Sequence, residues 1–140
     1  RQREELFEVL TQIPYIKWAI ASVYPKVIDR INIFEATRLA LKRAIQKLDI
    51  KPGCVITDGN FKLRMRLPQK SVVKADEKFL PCSIASIIAK VTRDRYMTRM
   101  HKKYPQYGFD KHKGYGTELH YAMLKKYGPS PIHRYSFRLS

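Results

Sequence analysis

CVITDGN at residues 54–60 and KSVVKAD at residues 70–76 are two short, apolar, β-branched runs, and Asp58 or Asp76 lies at the end of each. Such runs between helical segments are typical of buried, parallel strands. Ligands of open α/β sheets gather at the carboxyl ends of the strands. Two carboxylates held close together repel one another unless a cation removes the penalty. The pair therefore predicts a site for a hard divalent cation with oxygen ligands, Mg²⁺ or Mn²⁺.

Each aspartate also has a plainer interpretation. Asp58 precedes Gly59 and Asn60, which is good turn chemistry after a strand. Asp76 could cap a helix or lie in a solvated turn. In isolation either alternative is favoured, and only the recurrence of the pattern at two neighbouring strands favours a metal site. A further convincing carboxylate pair does not occur in the sequence.

Composition narrows the class of protein. The 140 residues include 28 Lys and Arg against 12 Asp and Glu, which gives a formal charge of +16, and 44% of the residues are hydrophobic. This composition predicts one folded domain whose partner is nucleic acid, with an anionic membrane surface as the weaker alternative. No apolar run approaches the ~20 residues that a membrane span needs. The charge and the paired carboxylates together predict a metal-dependent enzyme that acts on nucleic acid.

The cysteines and histidines show no metal or disulfide signature. Cys54 and Cys82 have no CxxC spacing and are predicted to be buried thiols of a protein in a reducing compartment, the cytoplasm. The four histidines are too scattered for a zinc site: His101, His112, His120 and His133.

Hydrophobic periodicity predicts the remaining elements. Asn32, with Glu35 three residues on, is a candidate helix cap. Helices are predicted at 1–12, from Asp29 or Asn32 to Leu48, at 82–100 and at 118–128, strands at 15–25, 54–57 and 71–76, basic loops at 61–70 and 101–117, and an irregular tail at 129–140.

The loop at 101–117 interleaves aromatic and basic residues, as nucleic-acid-binding loops do. The alternative is that its rings pack inward beneath a charged rim, and the sequence leaves both open. Gly114 and Gly116 flank Tyr115, which either projects that ring toward a ligand or makes a tight turn. Asp94, on the predicted helix at 82–100, is a weaker candidate ligand, because most such charges lie on solvated faces.

These residues, in this order, resemble ribonuclease HII, the type 2 ribonuclease H of bacteria. The matching segments span the chain: INIFEATRLALKRAI, VITDGN, VVKADEK, SIASIIAKVTRDRYM, YPQYGFDKHKGYGT and GPSPIHRYSF. The resemblance implies an α/β, ribonuclease H-like fold with a mixed central sheet flanked by helices. It implies an endonuclease that cleaves the RNA strand of RNA–DNA hybrids and cuts 5′ of ribonucleotides embedded in duplex DNA. It implies no membrane and no obligate protein partner.

The same resemblance assigns site residues. The family holds two divalent ions, Mn²⁺ or Mg²⁺, with four carboxylates, two of which match Asp58 and Asp76. The second motif commonly reads Lys-Gly-Asp, and here it reads Lys74-Ala75-Asp76. The family's tyrosine that stacks on the sugar beside the ribonucleotide matches Tyr115. Asp94 matches a helix residue that is not a ligand.

The chain also departs from the family. The adjacent Asp-Glu pair and the Gly-Arg-Gly segment of the family's opening strand do not occur in this sequence, and Glu4-Glu5 lies in a charged helix instead. We therefore expect residues 1–140 to be the C-terminal two-thirds or more of a single catalytic domain, with 118–140 as its last helix and tail. The first strands would be missing, and the chain alone is expected to cleave little or not at all.

From their positive charge, and not from the family resemblance, we predict four phosphate contacts: Arg64, Arg66, Lys111 and Lys113. Two alternatives remain at this stage. A non-catalytic basic nucleic-acid-binding module would need no divalent metal. A basic structural protein of a ribonucleoprotein would tolerate Asp58→Asn and Asp76→Asn in every assay.

Overall fold

The computed structural model describes residues 2–60 and 62–136, which form an α/β arrangement dominated by helices. Within those ranges the chain runs through α1 (Gln2–Gln12), α2 (Pro25–Gln46), β1 (Val55–Asp58), β2 (Gln69–Val72), α3 (Ala75–Lys78), α4 (Leu80–Lys103), a 3₁₀ turn (Pro105–Tyr107), α5 (Phe109–His112) and α6 (Glu118–Tyr127).

The two strands pair in parallel, as the apolar runs predict. Val55 lies opposite Gln69 and Asp58 lies opposite Val72. Because both strands point the same way, their carboxyl ends share one edge of the sheet. Thr57 is the buried residue of β1, and its hydroxyl donates to the Ser71 hydroxyl at 3.2 Å. Beyond this two-stranded sheet, the described residues contain no strand of the wider mixed sheet that the resemblance implies.

The predicted strand at 15–25 is wrong, because this segment pairs with no strand in the part of the chain that the structure describes. A strand requires a neighbouring backbone for its ladder. Here the carbonyl of Ile20 instead accepts a hydrogen bond from Lys47 Nζ at 3.0 Å. The Trp18 ring meets the Phe7 ring edge-on at 6.3 Å. The segment is thus held by side chains rather than by a sheet.

Helix α4 is the central element, and it extends the predicted helix at 82–100 by a few residues at each end. Ile88 and Val91 pack with Phe7 of α1 in a buried cluster. Arg95 binds Glu4 and Glu8 of α1, and its guanidinium lies 4.4 Å above the Phe7 ring. These contacts fix α1 along α4.

The segment at 101–117 is mostly structured rather than an open loop. Tyr107 and Phe109 are buried, stack at 5.3 Å and form a second core cluster with Met97 and Leu124. The Tyr107 hydroxyl donates to the carbonyl of Gly128 at 2.8 Å. Of the two interpretations of this segment, inward packing holds for Tyr107 and Phe109.

Helix α2 confirms the predicted cap at Asn32, although the helix begins earlier, at Pro25. Proline suits the first helical turn because its missing N–H would have no partner there. Asn32 interrupts the helix at φ 66° and ψ 167°, and its side chain accepts a hydrogen bond from the backbone N–H of Glu35 at 3.0 Å. Asn32 therefore caps the second half of α2.

The predicted helix at 118–128 is confirmed by α6. Thr117 caps it by accepting from the N–H of His120. The prediction of two buried thiols is wrong for Cys54, which is exposed, while Cys82 is partly buried. Cys54 precedes the first paired residue of β1, and the narrow sheet leaves it uncovered. Searched for bilayer-spanning segments, residues 2–60 and 62–136 yield no helix with the required length and apolarity.

Candidate metal and nucleic-acid site

The two predicted carboxylates lie on neighbouring elements at one edge of the sheet. Asp58 closes β1, and its Oδ1 accepts a hydrogen bond from the backbone N–H of Ala75 at 3.0 Å. Ala75 directly precedes Asp76. The prediction that Asp76 ends a strand is wrong, because β2 stops at Val72 and Asp76 lies in the first turn of α3.

The turn between β2 and α3 explains this position. Lys74 adopts the left-handed conformation, at φ 56° and ψ 48°, which ends the strand and starts the helix at the next residue. Ala75 follows with no exposed surface, so its methyl group fills the space under the turn. Asp58 holds that turn through the Ala75 N–H, and Asp76 is the next residue along the chain.

Cys82 on α4 lies next to strand β1, near the end that carries Asp58. Its Sγ lies 3.9 Å from the carbonyl oxygen of Ile56 in β1. Burial raises the pKa of the Cys82 thiol, and the negative charges of Asp58 and Asp76 raise it further. Both carboxylates therefore act electrostatically on one side chain.

The donors fit a hard divalent cation in kind but do not complete a site in number. Carboxylate oxygens are what Mg²⁺ and Mn²⁺ prefer. Among residues 2–60 and 62–136, however, no group of three His, Cys, Asp or Glu side chains could hold a metal ion. Asp94 does not extend the pair, because it lies about three turns beyond Cys82 on α4, a rise of roughly 18 Å.

Tyr115, in the loop after α5, packs against α4 and is 48% exposed. Lys90 Nζ donates to its hydroxyl at 2.8 Å, and the Arg93 guanidinium lies 5.2 Å from its ring centre. Arg93 also donates to the carbonyl of Lys113. We call Tyr115, Lys90, Arg93 and Lys113 the tyrosine shelf. It presents an aromatic face beside two cations, Lys90 and Arg93, which suits a sugar or base beside phosphates. The Lys113 ammonium donates to the Thr98 hydroxyl at 2.7 Å.

Both glycines that flank Tyr115 lie in tightly packed surroundings, and Gly114 also has a left-handed backbone. Gly114 has φ +81°, and a Cβ there would lie 3.3 Å from Met97 Cε. A Cβ on Gly116 would lie 2.7 Å from the Tyr121 hydroxyl. The sequence left open whether these glycines make a tight turn or project the Tyr115 ring. Both hold, because the tight turn is what sets the Tyr115 ring against α4.

The other basic residues that were predicted to contact phosphates lie apart from one another. Lys111 is exposed on α5, near the tyrosine shelf in sequence. Arg64 and Arg66 are exposed in the loop before β2, where the Gln69 side chain binds Leu63 and Met65. That loop adjoins the amino end of β2, whereas Asp58 lies at the carboxyl end of β1. The structure thus groups Lys113 with Tyr115 and leaves Arg64 and Arg66 apart.

Two groups of residues escaped the sequence patterns. The sequence around Lys90 and Arg93 carries no nucleic-acid-binding motif, and the two residues meet Tyr115 only because the chain returns to α4 at that residue. His112, His120 and His133 looked scattered but lie together in the second core, as described below. Their spacing follows no helical or strand period, so the sequence held no local signal for this cluster.

Solved structures establish the class of this fold. Ribonuclease H2 from Pyrococcus horikoshii OT3 superposes with a TM-score of 0.79 at 30% identity, over 99% of this chain and 72% of that one. Ribonuclease HII from Archaeoglobus fulgidus, solved in a complex with PCNA, gives a TM-score of 0.71 at 27% identity, over 94% of this chain and 70% of that one. The fold is that of type 2 ribonucleases H.

The sequence comparison then gives the family. The family model described as Ribonuclease HII matches residues 1–140, so the chain belongs to the ribonuclease HII family. It is 47% identical to Ribonuclease HII of Caldicellulosiruptor bescii over 98% of this chain and 66% of that protein. For Halalkalibacterium halodurans the identity is 42%, over 97% of this chain and 51% of that protein. The chain thus spans less than two thirds of these relatives.

Proposed function

We propose that this chain supplies part of a two-metal endonuclease of the ribonuclease HII type. The substrates would be RNA–DNA hybrids and duplex DNA with embedded ribonucleotides, cut 5′ of the ribonucleotide. The observation that carries the proposal is the hydrogen bond from the Ala75 N–H to Asp58, one residue before Asp76, in a chain that matches the family throughout.

In this proposal Asp58 and Asp76 are metal ligands and not general acids or bases. Two Mn²⁺ or Mg²⁺ ions, when bound, would activate a water for in-line attack and stabilise the leaving 3′ oxygen. Products would carry 5′-phosphate and 3′-hydroxyl ends. The backbone contact to Ala75 occupies one oxygen of Asp58 and fixes the direction of the other before any ion arrives.

The tyrosine shelf would bind the substrate strand. The Tyr115 ring would stack on the sugar next to the ribonucleotide, while Lys90, Arg93 and Lys113 would neutralise neighbouring phosphates. Lys111, Arg64 and Arg66 remain proposed phosphate contacts of the wider basic surface. The placement in the cytoplasm and the lack of an obligate protein partner stay predictions.

Two ligands do not make a full two-metal site, so we propose that the chain alone binds metal weakly and cleaves little. The test is Mn²⁺- or Mg²⁺-dependent cleavage of duplex DNA with one ribonucleotide. The chain would be assayed alone and with an amino-terminal segment that carries an Asp-Glu pair, supplied in trans or as a fusion. Cleavage only with that segment, lost in Asp58→Asn, is the expected result. A cleavage rate of the chain alone near that of a full-length relative would contradict the weak-activity proposal.

A second candidate is a basic nucleic-acid-binding module without catalysis. The absence of a three-donor metal cluster from residues 2–60 and 62–136 favours it, as does the charge of +16. Salt dependence does not separate the two candidates, because both bind through phosphates. Metal dependence does, since binding by the module would be unchanged by Mn²⁺ and no cleavage would appear with or without the added segment.

A further inference from the structure

Three histidines form a buried cluster behind Tyr115. His112, His120 and His133 are 6%, 7% and 8% exposed. The rings of His112 and His120 stack at 4.2 Å, and Nε2 of His120 lies 2.9 Å from Nε2 of His133. Buried imidazoles so close together are stable only if they are neutral and hydrogen-bonded to one another or to the backbone.

The hydrogen bonds fix where each proton lies. The backbone N–H of Ser130 donates to Nδ1 of His133 at 2.9 Å, so that nitrogen carries no proton. His133 therefore carries its proton on Nε2 and donates to Nε2 of His120. His120 must then carry its proton on Nδ1, which lies 2.9 Å from the carbonyl oxygen of Tyr115.

The resulting chain of donors runs in one direction, from Ser130 through His133 and His120 to the backbone of Tyr115. His112 closes the arrangement from the other side. Its Nδ1 accepts from the N–H of Gly114 at 3.0 Å, and its carbonyl accepts from the N–H of Tyr115 at 2.8 Å. Both peptide groups of Tyr115 are thus bound by histidines, while its ring faces outward on the shelf.

Electrostatics agree with neutral rings. Burial, and to a lesser extent the neighbouring His120, lowers the pKa of His133 to about 4. Burial also lowers the pKa of His120, against the effect of the Tyr115 carbonyl. The other titratable groups that face the pair are His112, Tyr107 and Tyr121. At neutral pH the donor chain is therefore intact.

We propose that His120 and His133 are positioning residues that set the Tyr115 ring for the nucleic acid through a directed imidazole relay to its backbone carbonyl. This rests on the proposed function of Tyr115 as the stacking residue. The histidines touch no substrate, because they are buried behind the loop. Their effect reaches the substrate only through the orientation of Tyr115.

Two amide variants separate positioning from packing. In His120→Asn the side-chain amide lies where Nδ1 was and can still donate to the Tyr115 carbonyl. In His120→Gln it reaches toward Nε2, so it keeps the contact with His133 and loses the one with Tyr115. Both replace the same ring by an amide, and their thermal stabilities serve as the internal comparison.

The measurement is the affinity for duplex DNA with one ribonucleotide, by fluorescence anisotropy without divalent metal. We expect His120→Gln to weaken binding by on the order of 10-fold, comparable to losing one stacked ring. His120→Asn should bind like the parent chain. In a Tyr115→Ala background both variants should bind equally, because the relay would have no ring left to position. If His120→Gln and His120→Asn weaken binding equally while Tyr115 is present, the proposal is overturned.

A spectrum without nucleic acid separates this proposal from the proposed function. Long-range ¹H–¹⁵N correlation at neutral pH should show His133 protonated at Nε2 and His120 at Nδ1. The Gly116 amide, which shares a peptide group with the Tyr115 carbonyl, should shift in His120→Gln and not in His120→Asn. The opposite tautomers would overturn the relay. Correct tautomers and shifts in a chain that binds no ribonucleotide-containing duplex would support the relay and defeat the proposed function.

Discussion

The carboxylate of Asp58 and the backbone N–H of Ala75 are joined by a 3.0 Å hydrogen bond that links the end of β1 to the first turn of α3. Through this bond the side chain of Asp58, one proposed metal ligand, positions Ala75, the residue before Asp76, the second proposed ligand. The local fold and the proposed metal site therefore depend on the same contact. A variant at Asp58 can separate the two, because an amide keeps the acceptor oxygen and removes the charge.

Asp58→Asn should weaken Mn²⁺ binding while leaving the fold intact. The amide oxygen can still accept from Ala75, so the thermal midpoint should change little, whereas a neutral ligand attracts a divalent cation less. Mn²⁺ binding by electron paramagnetic resonance checks the first effect and thermal melting checks the second. Asp49→Asn removes an exposed charge from the segment between α2 and β1 and is the control. Equal Mn²⁺ binding in both variants would remove Asp58 from the site.

Lys90→Gln should reduce the salt dependence of duplex binding. If Lys90 neutralises one phosphate, the magnitude of the slope of log K against log salt should fall by about 0.9. Arg64→Gln is the control, since Arg64 is an exposed cation that lies at the amino end of β2, with Glu35 3.5 Å away. We expect the smaller change for Arg64. A larger change in slope for Arg64→Gln than for Lys90→Gln would show that the duplex binds near Arg64 and not at the tyrosine shelf.

Lowering the pH should release the segment at Tyr135–Ser136 from α2. Asp29 accepts from the Ser136 hydroxyl and from the N–H groups of Ser136 and Tyr135, and these bonds, the Ser136 hydroxyl first, lower its pKa from 3.8. A lowered carboxyl pKa means that the contact stabilises the fold above the unfolded-state pKa and is lost as pH falls through the folded one.

The amide resonance of Ser136, followed from pH 6 downward, measures this release. It should stay constant to about pH 4 and move only below it. Asp29→Ala, which removes both acceptor oxygens, should show the released position at every pH. A transition in the wild type above pH 5 would mean that another group controls this contact.

Gly114→Ala should destabilise the protein and shift Tyr115. A non-glycine residue held at positive φ costs on the order of 1 kcal/mol, to which the 3.3 Å approach to Met97 adds. Gly53→Ala is the control, because nothing lies within 4 Å of a Cβ there and its φ is not in the left-handed range. Chemical denaturation should show a loss for Gly114→Ala and none for Gly53→Ala. Equal stabilities would show that the turn tolerates a side chain.

The sequence predicted what local patterns encode. The helices α4 and α6, the Asn32 cap and the parallel pairing of two strands follow from periodicity, caps and β-branched runs, and these were confirmed. The second strand, however, lies at Gln69–Val72 and not at 71–76. Prediction from the sequence failed at 15–25, since alternation of apolar residues does not reveal whether a pairing partner is present. It also placed Asp76 on a strand, because nothing in the letters KSVVKAD marks Lys74 as a left-handed residue.

The candidate site was only half visible for a similar reason. Asp58 and Asp76 were recognised because each ends an apolar run, but the histidine cluster and the cations of the tyrosine shelf depend on contacts between distant segments. His120 and His133 approach each other only after α6 has folded back on the second core. Such contacts are set by tertiary packing, which short-range patterns do not describe.

Helix α4 touches the carboxylate edge at Cys82, the tyrosine shelf at Lys90 and α1 at Arg95. An α-helix neither stretches nor twists easily, so the offset from Cys82 to Lys90, about 12 Å of rise, is constant. Helix α4 thus fixes the distance between the carboxylate edge and the tyrosine shelf. In the proposed function, the number of residues between Cys82 and Lys90 would set the distance between the metal ligands and the stacking tyrosine. Inserting a single residue there would rotate the tyrosine shelf by about 100° relative to the carboxylate edge.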